Sequence, residues 1–237
     1  MSSNGSDPSN HDFDDDPNKR GANVVTHELE SPIQKFWNDR KLRSRINESC
    51  LSFSESIIRP AADRGANIVG FVGEKENVGN STVALFAAVF NALTRNLPTV
   101  LVDCNFRKPV MKNWFKIDAP SGISNVMEDP SEIEIATRTT SYHNLSVIHQ
   151  GTQPKRLRFE PEKLGPIFSS LSLEFPNVFV DLPAFDPSHI PLYSNVDFAV
   201  LVSGPDTQSD QRSVQLISET LADHAVPFAG VFINERP

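Results

Sequence analysis

Three short stretches of the sequence carry residues that could together bind a phosphate group and the Mg²⁺ ion that accompanies it. The first is a polar loop, residues 73–79, which follows an apolar run and leads into an apolar helix beginning near Ser81. Loop N–H groups and a helix N-terminus together form an anion site, so this layout is typical of a phosphate-binding loop. The residue before Ser81, where such loops carry a lysine that reaches the phosphates, is Asn80.

The other two stretches each place an acid at the end of an apolar run. Asp103 follows residues 99–102, and Asp181 follows residues 178–180. Carboxylates beside a phosphate-binding loop suit Mg²⁺, and the hydroxyl of Ser81 could complete the set of ligands. Each of these three side chains is also a common helix N-cap, and that structural role remains the alternative for each.

The chain around these residues alternates between short apolar runs and longer helical stretches. The runs predicted as strands are residues 68–72, 99–102, 145–148, 178–180, 198–202 and 228–233, and helices are predicted at residues 81–96, 162–175 and 207–224. This alternation predicts an α/β fold with a P-loop NTPase-like parallel sheet flanked by helices on both faces. Ligands of such sheets bind at the carboxyl ends of the strands, so the three stretches should meet there.

The sequence before the sheet divides into two parts. Residues 1–30 are polar and acidic and are expected to form a disordered tail, with an acidic interaction arm as the alternative. Residues 31–64 are predicted to be helical, and basic residues crowd the first half of that segment. They indicate either a helix that docks on a partner or membrane surface, or the solvated face of a helix packed on the domain. Residues 65–237 would form the P-loop NTPase-like domain.

Charge and cysteine content exclude several classes of protein. The net charge is −8, of which the acidic tail supplies −5, so the folded part shows no nucleic-acid footprint. Cys50 and Cys104 lack metal-ligand spacing, which favours a reducing cytoplasm. No apolar run approaches the ~18 residues that span a bilayer, and the N-terminus lacks a secretory signal. A soluble, intracellular protein without a transmembrane segment is expected.

The order of these stretches resembles the cytoplasmic kinase domain of bacterial tyrosine kinases, a branch of the MinD/ParA-like P-loop ATPases. The matching runs are residues 67–82, 100–109, 121–127, 144–151, 178–183 and 230–234, covering about residues 48–237. The family works with polysaccharide co-polymerases in capsule and exopolysaccharide export. The runs Asp-x-x-x-Arg-Lys-Pro, from Asp103, and Gly-Ile-Ser-Asn-Val-Met, from Gly122, are specific to this family. They argue against a MinD/ParA-type positioning ATPase.

The resemblance implies a site for ATP or ADP with Mg²⁺. It assigns nucleotide binding to Gly79, Asn80, Ser81, Thr82, Arg107 and Asn234, catalysis to Asp103, Asn105 and Asp181, and the metal to Ser81, Asp103 and Asp181. Asn234 would lie near the adenine, although a turn residue is an equal alternative. These assignments are what the resemblance implies for positions that match the family's motifs.

Two departures from the family pattern fall at the centre of that site. Asn80 replaces the phosphate-binding lysine, a loss of ~1.5–3 kcal/mol that would weaken nucleotide binding about tenfold to a hundredfold. Asn105 replaces the second acid of the Asp-x-Asp motif, and a carboxamide cannot accept a proton as a carboxylate does. Losing one electrostatic stabiliser of a transition state typically lowers turnover ~10²–10³-fold. Asn77 also replaces a loop glycine, although Asn tolerates positive φ better than most residues.

Two further family features are missing. The stretch aligned with the Glu-x-x-Arg-x-x-Arg oligomerisation motif keeps Glu48 but has Leu51 and Ser54 in place of the arginines. The C-terminal tyrosine cluster has no counterpart, and Tyr142 and Tyr193 are better explained as structural residues than as phosphorylation sites.

These losses lead to one main hypothesis and one rival. The main hypothesis is a catalytically impaired, weakly nucleotide-binding kinase-like protein that regulates or adapts an exopolysaccharide or capsule system. It would act in the cytoplasm, held at the inner membrane by a membrane polysaccharide co-polymerase or an active kinase homologue. The rival is an active tyrosine autokinase or ATPase in which Lys75, Arg107 or Lys108 replaces the missing lysine.

Overall fold

A single sheet organises the chain. The structure, a computed structural model, describes residues 39–152, 160–204 and 207–234, without the side chains of Leu42 and residues 207–210. Seven strands occur in this part of the chain: β1 Ile68–Gly73, β2 Thr99–Asp103, β3 Arg138–Thr139, β4 Leu145–Ile148, β5 Asn177–Asp181, β6 Phe198–Ser203 and β7 Phe228–Ile233. Their order is β3-β4-β2-β5-β1-β6-β7, and every neighbouring pair is parallel except β3 with β4.

The helices cover both faces of the sheet. They are α1 Arg40–Phe53, α2 Arg59–Ala62, α3 Asn80–Leu93, α4 Met111–Trp114, α5 Ile123–Glu128, α6 Ile133–Ala136, α7 Leu164–Glu174, α8 Ile190–Tyr193 and α9 Thr207–Asp223, with a π-helical turn, Ser54–Ile58, joining α1 to α2. The predicted α/β fold with a parallel sheet is confirmed. All six predicted strands lie within one residue of their observed bounds, whereas the two-residue antiparallel β3 escaped prediction because it is too short to show periodicity.

The two faces of the sheet carry separate hydrophobic clusters. One contains α3 and the end of α1, packed on Phe71 and Phe179. The other contains α5, α7, α8 and α9, packed on residues such as Val102 and Val180. The central strands β1, β2, β5 and β6 are buried along their whole length, which explains their uninterrupted apolar sequence.

The described part of the N-terminal segment is a helix packed on the domain. Cys50, Phe53 and Ile58 are buried, and the Phe53 ring lies 5.9 Å from that of Phe71. Arg40 and Lys41 are exposed. The predicted acidic tail and the predicted helix start at Ser31 lie outside the described residues. None of the described helices has the length and hydrophobicity needed to cross a bilayer.

The sheet brings the three chemistry-bearing stretches together. Strand β5 lies between β1 and β2, so the loop after β1 adjoins the end of β5. Asp103 and Asp181 stand opposite each other in the register of β2 and β5. The carboxyl ends of these three strands therefore form the candidate site.

Candidate functional site

The loop between β1 and α3 has the backbone of a phosphate-binding loop. Gly79 precedes α3 with φ 91°, and Asn77 has φ 63°. Both values lie in the left-handed region, where glycine is favoured and asparagine is tolerated. Asn77 thus holds a conformation that the family's glycine would hold, and α3 begins directly after Gly79.

Asn80 is bound to the end of β5. Its side chain is buried, and Nδ2 donates to Asp181 Oδ1 at 2.9 Å and to the Leu182 carbonyl oxygen at 2.7 Å. The amide has only two N–H donors, and both are used within the protein. In contrast to a lysine, whose long side chain would carry an ammonium group to the phosphates, this side chain supplies no charge and no spare donor.

Asp103 is bound by backbone amides. Its Oδ1 accepts from Asn105 N at 3.1 Å, and its Oδ2 accepts from Val110 N and Met111 N, each at 3.0 Å. These bonds hold the loop that carries residues 104–110 against the end of β2 and fix the start of α4. The carboxylate therefore organises the loop, with both oxygens already accepting hydrogen bonds.

Burial raises the pKa values of both Asp103 and Asp181, which face each other at the ends of β2 and β5. Burial raises the pKa of Asp103 to about 6, and the three backbone N–H donors oppose that shift. Burial and then the neighbouring Asp103 charge raise the pKa of Asp181 well above its usual range, against the effect of Ser81 and Asn80. Two carboxyl groups side by side in a dry site disfavour simultaneous ionisation.

A cleft of about 220 Å³ opens above these residues. The loop after β1, the loop after β2 and the loop after β5 line it, through Glu74, Lys75, Glu76, Asn77, Asn80, Asn105, Arg107, Lys108, Pro183, Ala184, Phe185 and Asp186. Glu76 reaches across this cleft, where its Oε2 accepts from Lys108 Nζ at 2.5 Å. This hydrogen bond and the Lys108 charge lower the pKa of Glu76.

The sequence analysis assigned no role to Glu74 and Glu76, the two acids of the loop after β1. Glu76 pairs with one of the three cations proposed as substitutes for the lysine, and Glu74 accepts a 2.5 Å hydrogen bond from Ser203 Oγ. An acid inside an anion-binding loop was a signal in the sequence, because a carboxylate repels the phosphate that the loop should attract.

Asn234 contacts the loop from the other side. Its Nδ2 donates to the Val78 carbonyl oxygen at 2.8 Å, and its backbone N donates to Ser203 O at 2.8 Å. The structure thus places Asn234 beside the loop, with its amide anchoring the backbone. Arg107 is exposed at the rim of the cleft, and Ser81 and Thr82 are half-buried in the first turn of α3.

The three expected Mg²⁺ ligands, Ser81, Asp103 and Asp181, differ in how far their oxygen atoms are available to a metal ion. Asp181 Oδ2 is buried and has no hydrogen-bond partner, and the Ser81 side chain lies beside the same carboxyl group. These two residues could hold the ion with a bound nucleotide, where it would neutralise phosphate charge. Asp103 has less to offer because backbone amides already occupy its oxygens. Among the described residues, no three His, Cys, Asp or Glu side chains group as an independent metal site.

Tyr193 has a structural position. It is fully buried in α8, its hydroxyl donates to the Ala184 carbonyl oxygen at 3.0 Å and accepts from Asp186 N at 3.2 Å. Burial raises the pKa of this phenol above its usual range. The tyrosine thereby fixes the loop after β5 that forms one wall of the cleft.

Comparison with solved structures identifies the fold. The structure aligns with the kinase domain of the Escherichia coli tyrosine kinase ETK (TM-score 0.66, 19% identity, 83% of this chain and 73% of that chain). It aligns with the chimeric protein CapA2B2 (TM-score 0.64, 21% identity, 88% and 87%) and with the septum site-determining protein MinD of Pyrococcus horikoshii in complex with Mg-ADP (TM-score 0.61, 19% identity, 71% and 70%). The fold is that of the MinD/ParA-like P-loop ATPases.

Sequence comparison points to bacterial tyrosine kinases within that fold. A Staphylococcus aureus protein, CapB, named as a tyrosine-protein kinase, is 24% identical over 155 residues, 65% of this chain and 68% of CapB. The tyrosine-protein kinase ptk of Acinetobacter johnsonii is 21% identical over 194 residues, 79% of this chain and 26% of ptk. The chain thus spans about a quarter of the second relative. No protein-family model matches the sequence. The resemblance to bacterial tyrosine kinases is confirmed.

Proposed function

We propose that this protein is a catalytically impaired relative of the bacterial tyrosine kinases that serves as a regulatory or adaptor subunit in capsule or exopolysaccharide biosynthesis and export. The single observation that carries the proposal is the position of Asn80. It occupies the lysine position of a P-loop, and both of its amide hydrogens are donated to Asp181 and Leu182. The site keeps its backbone frame and loses the cation that a phosphoryl transfer requires.

Charge in the cleft supports the same conclusion. Glu76 places a carboxylate in the loop that would cradle the phosphates, and it engages Lys108, a cation that could otherwise face them. A nucleotide phosphate would have to displace this contact before it could use Lys108. Asn105 occupies the second acid position. Its Oδ1 accepts a hydrogen bond of 3.3 Å from the backbone N of Lys108, within the same loop. Through these contacts, the polar groups of the loops after β1 and β2 bind one another, which leaves fewer of them available to a nucleotide.

The partner and the location follow from the resemblance. The relatives named as tyrosine kinases and the structural neighbour CapA2B2 support a place beside a membrane polysaccharide co-polymerase or an active kinase homologue. We propose that the chain acts in the cytoplasm and is held at the inner membrane through that partner. Nucleotide, with Mg²⁺ on Ser81 and Asp181, would bind weakly and serve a structural purpose.

One observation favours the rival, an active autokinase or ATPase. Arg107 and Lys75 line the cleft, and the Arg107 guanidinium is exposed at its rim. A substitute cation on the loop after β2 could approach a bound phosphate in place of the missing lysine. This alternative predicts measurable turnover in the unaltered protein.

ATP turnover of restored variants separates the two functions. Asn80→Lys, Asn105→Asp and the double variant are compared with the unaltered protein, with Asn113→Lys, exposed on α4, as the matched control for added charge. The double variant should raise turnover by about a hundredfold or more from a near-background level, and Asn113→Lys should change nothing. An unaltered protein that hydrolyses ATP well, and gains little from restoration, would instead establish the rival.

A further inference from the structure

The two edges of the sheet differ in length. On one edge, β3 contains only two residues, Arg138–Thr139. On the other edge, β7 contains six residues, Phe228–Ile233, and no strand of the described residues pairs with its outer side. An edge strand presents a row of N–H and C=O groups to other chains, and proteins guard such edges with short strands, charged side chains or proline. Strand β7 contains no charged residue and no proline.

The register of β7 shows which of its backbone groups face outward. The backbone N of Asn234 donates to Ser203 O in β6, and Ser203 stands opposite Ile233. Because successive residues of a paired strand direct their backbone groups alternately toward and away from the neighbour, the N–H and C=O groups of Val231 and Ile233 point away from β6. These four groups have no hydrogen-bond partner in the part of the chain that the structure describes. The irregular pairing after Ala199 lies before this stretch.

The side chains of the same two residues are apolar and exposed. Val231 is 41% exposed and Ile233 is 57% exposed, and their spacing of two residues places them on one face of the sheet. Phe232 points to the other face, where its ring lies 6.3 Å from that of Phe53. The chain has a net charge of −8, yet residues 227–234 contain no charged side chain. Two copies can therefore approach each other at this edge without bringing like charges together.

A second copy of β7 is complementary to this edge. When two identical strands run antiparallel about a two-fold axis at Phe232, Val231 of one copy stands opposite Ile233 of the other. Opposite residues of this kind exchange two N–H···O bonds, so all the outward groups of both residues are paired in both copies. The alignment also packs the exposed Val231 side chain against the exposed Ile233 side chain. A two-fold interface of this type uses the same patch on each molecule.

We propose that β7 is a self-association edge through which two copies of this chain pair antiparallel and continue the sheet from one molecule into the other. The paired stretch, residues 230–234, is short, so the interface buries less than the ~800 Å² per partner of a stable complex, and the dimer is weak and depends on concentration. This pairing goes beyond the proposed function, because it uses neither the nucleotide cleft nor the stretch where Leu51 and Ser54 replace the arginines of the family's oligomerisation motif.

Sedimentation velocity of the unaltered protein, at concentrations from micromolar to near-millimolar, measures the association. We expect a monomer at the lowest concentration and a dimer at the highest. Val231→Lys and Ile233→Lys each place two cations at the interface of the dimer and should raise its Kd about tenfold or more. Leu173→Lys, which alters a side chain 90% exposed on α7, is the matched control and should leave the Kd unchanged. All three altered side chains are exposed, so we expect the variants to keep the fold.

Disulfide cross-linking tests the register independently. Val231→Cys and Ile233→Cys proteins are oxidised with diamide, separately and as a mixture, while the natural Cys50 and Cys104 are buried. Opposite residues that exchange hydrogen bonds have Cα atoms about 5.5 Å apart, which suits a disulfide. The mixture should therefore cross-link more than either protein alone.

Three outcomes would overturn the proposal. The first is a monomer at every concentration, which is the result expected if the edge serves another segment or a different protein. The second is a dimer whose Kd is the same in both lysine variants as in the unaltered protein. The third is cross-linking that is as strong in the separate cysteine proteins as in their mixture, because it would show a different alignment of the strands.

Discussion

The side chain of Asn80 shows how one residue can decide the chemistry of a phosphate-binding loop whose backbone geometry is intact. A carboxamide is short and carries two donors, and the end of β5 offers two acceptors within its reach, Asp181 Oδ1 and Leu182 O. The sequence predicted that the lysine was missing. It could not predict what the replacement contacts, because those acceptors come from residues about a hundred positions further along the chain.

Asp103 illustrates the same limit. The sequence predicted that Asp103 follows a strand, and it left two roles open for the side chain, a Mg²⁺ ligand and a helix N-cap. The structure shows backbone amides of Asn105, Val110 and Met111 on its oxygens. Which role a carboxylate takes depends on how the following loop folds back, and local sequence pattern does not encode that path.

The burial of His149 predicts an acid sensitivity. Its folded pKa of about 4 lies below the ordinary value of 6.5, so the unfolded chain binds more protons between these values. Its contribution to stability is therefore complete above pH 6.5 and is lost as the pH falls toward 4. Asp103, with its pKa raised to about 6, acts in the opposite direction between its ordinary 3.8 and 6, because the folded state holds its proton.

A variant comparison isolates the histidine from these opposing acids. Urea unfolding of the unaltered protein and of His149→Phe is measured at pH 7 and pH 5 in chloride buffer free of phosphate. The free energy of unfolding should fall by roughly 2 kcal/mol more in the unaltered protein than in the variant. His149→Gln serves as a second non-titrating variant. Equal pH dependence in all three proteins would show that His149 is not held neutral by the fold.

At the scale of elements, the long strands and helices were predictable and the short ones were not. Continuous apolar runs located β1, β2, β5 and β6 because these strands are buried on both faces. The short helices, of four to six residues, and β3 are set by tertiary contacts. Gly122 is an example, since a Cβ there would meet Gly151 N and His149 O at 2.3 Å. The family-specific run that begins at Gly122 therefore reflects close backbone packing.

The contact between Glu76, in the loop after β1, and Lys108 predicts an effect on nucleotide affinity. Glu76→Gln removes the carboxylate that holds Lys108 across the cleft, so Lys108 becomes available to a phosphate. Because the pair is exposed, we expect ADP to bind more tightly by up to about fivefold, and the gain should shrink at high salt. Calorimetric titration measures it.

The matched control for this change is Glu134→Gln, an exposed acid in α6. It alters the net charge equally and lies outside the cleft, so it should leave ADP binding unchanged. Equal affinities for Glu76→Gln and the unaltered protein would show that the contact between Glu76 and Lys108 does not compete with the nucleotide.

At the scale of the whole molecule, the fold matches that of the P-loop ATPases, whereas the charged residues of the site depart from the P-loop pattern. The MinD/ParA-like fold is complete in its sheet, and the sheet brings every predicted site residue to one edge, with Asn234 closing the loop from behind. Asn80 stands where the loop lysine would be, and Lys108 is paired with Glu76, whereas Arg107 is exposed at the rim of the cleft. We infer that the fold has been kept as a scaffold for a partner.

The measurement that tests this inference most directly is calorimetric titration of the full-length protein with ADP and with ATP, each with and without Mg²⁺. The account predicts that the unaltered protein binds neither nucleotide more tightly than millimolar, with or without Mg²⁺. Asn80→Lys, which places the missing cation in the loop, should restore binding that depends on Mg²⁺. Micromolar, Mg²⁺-dependent binding by the unaltered protein would contradict the account, because the loop would then hold phosphates without its lysine.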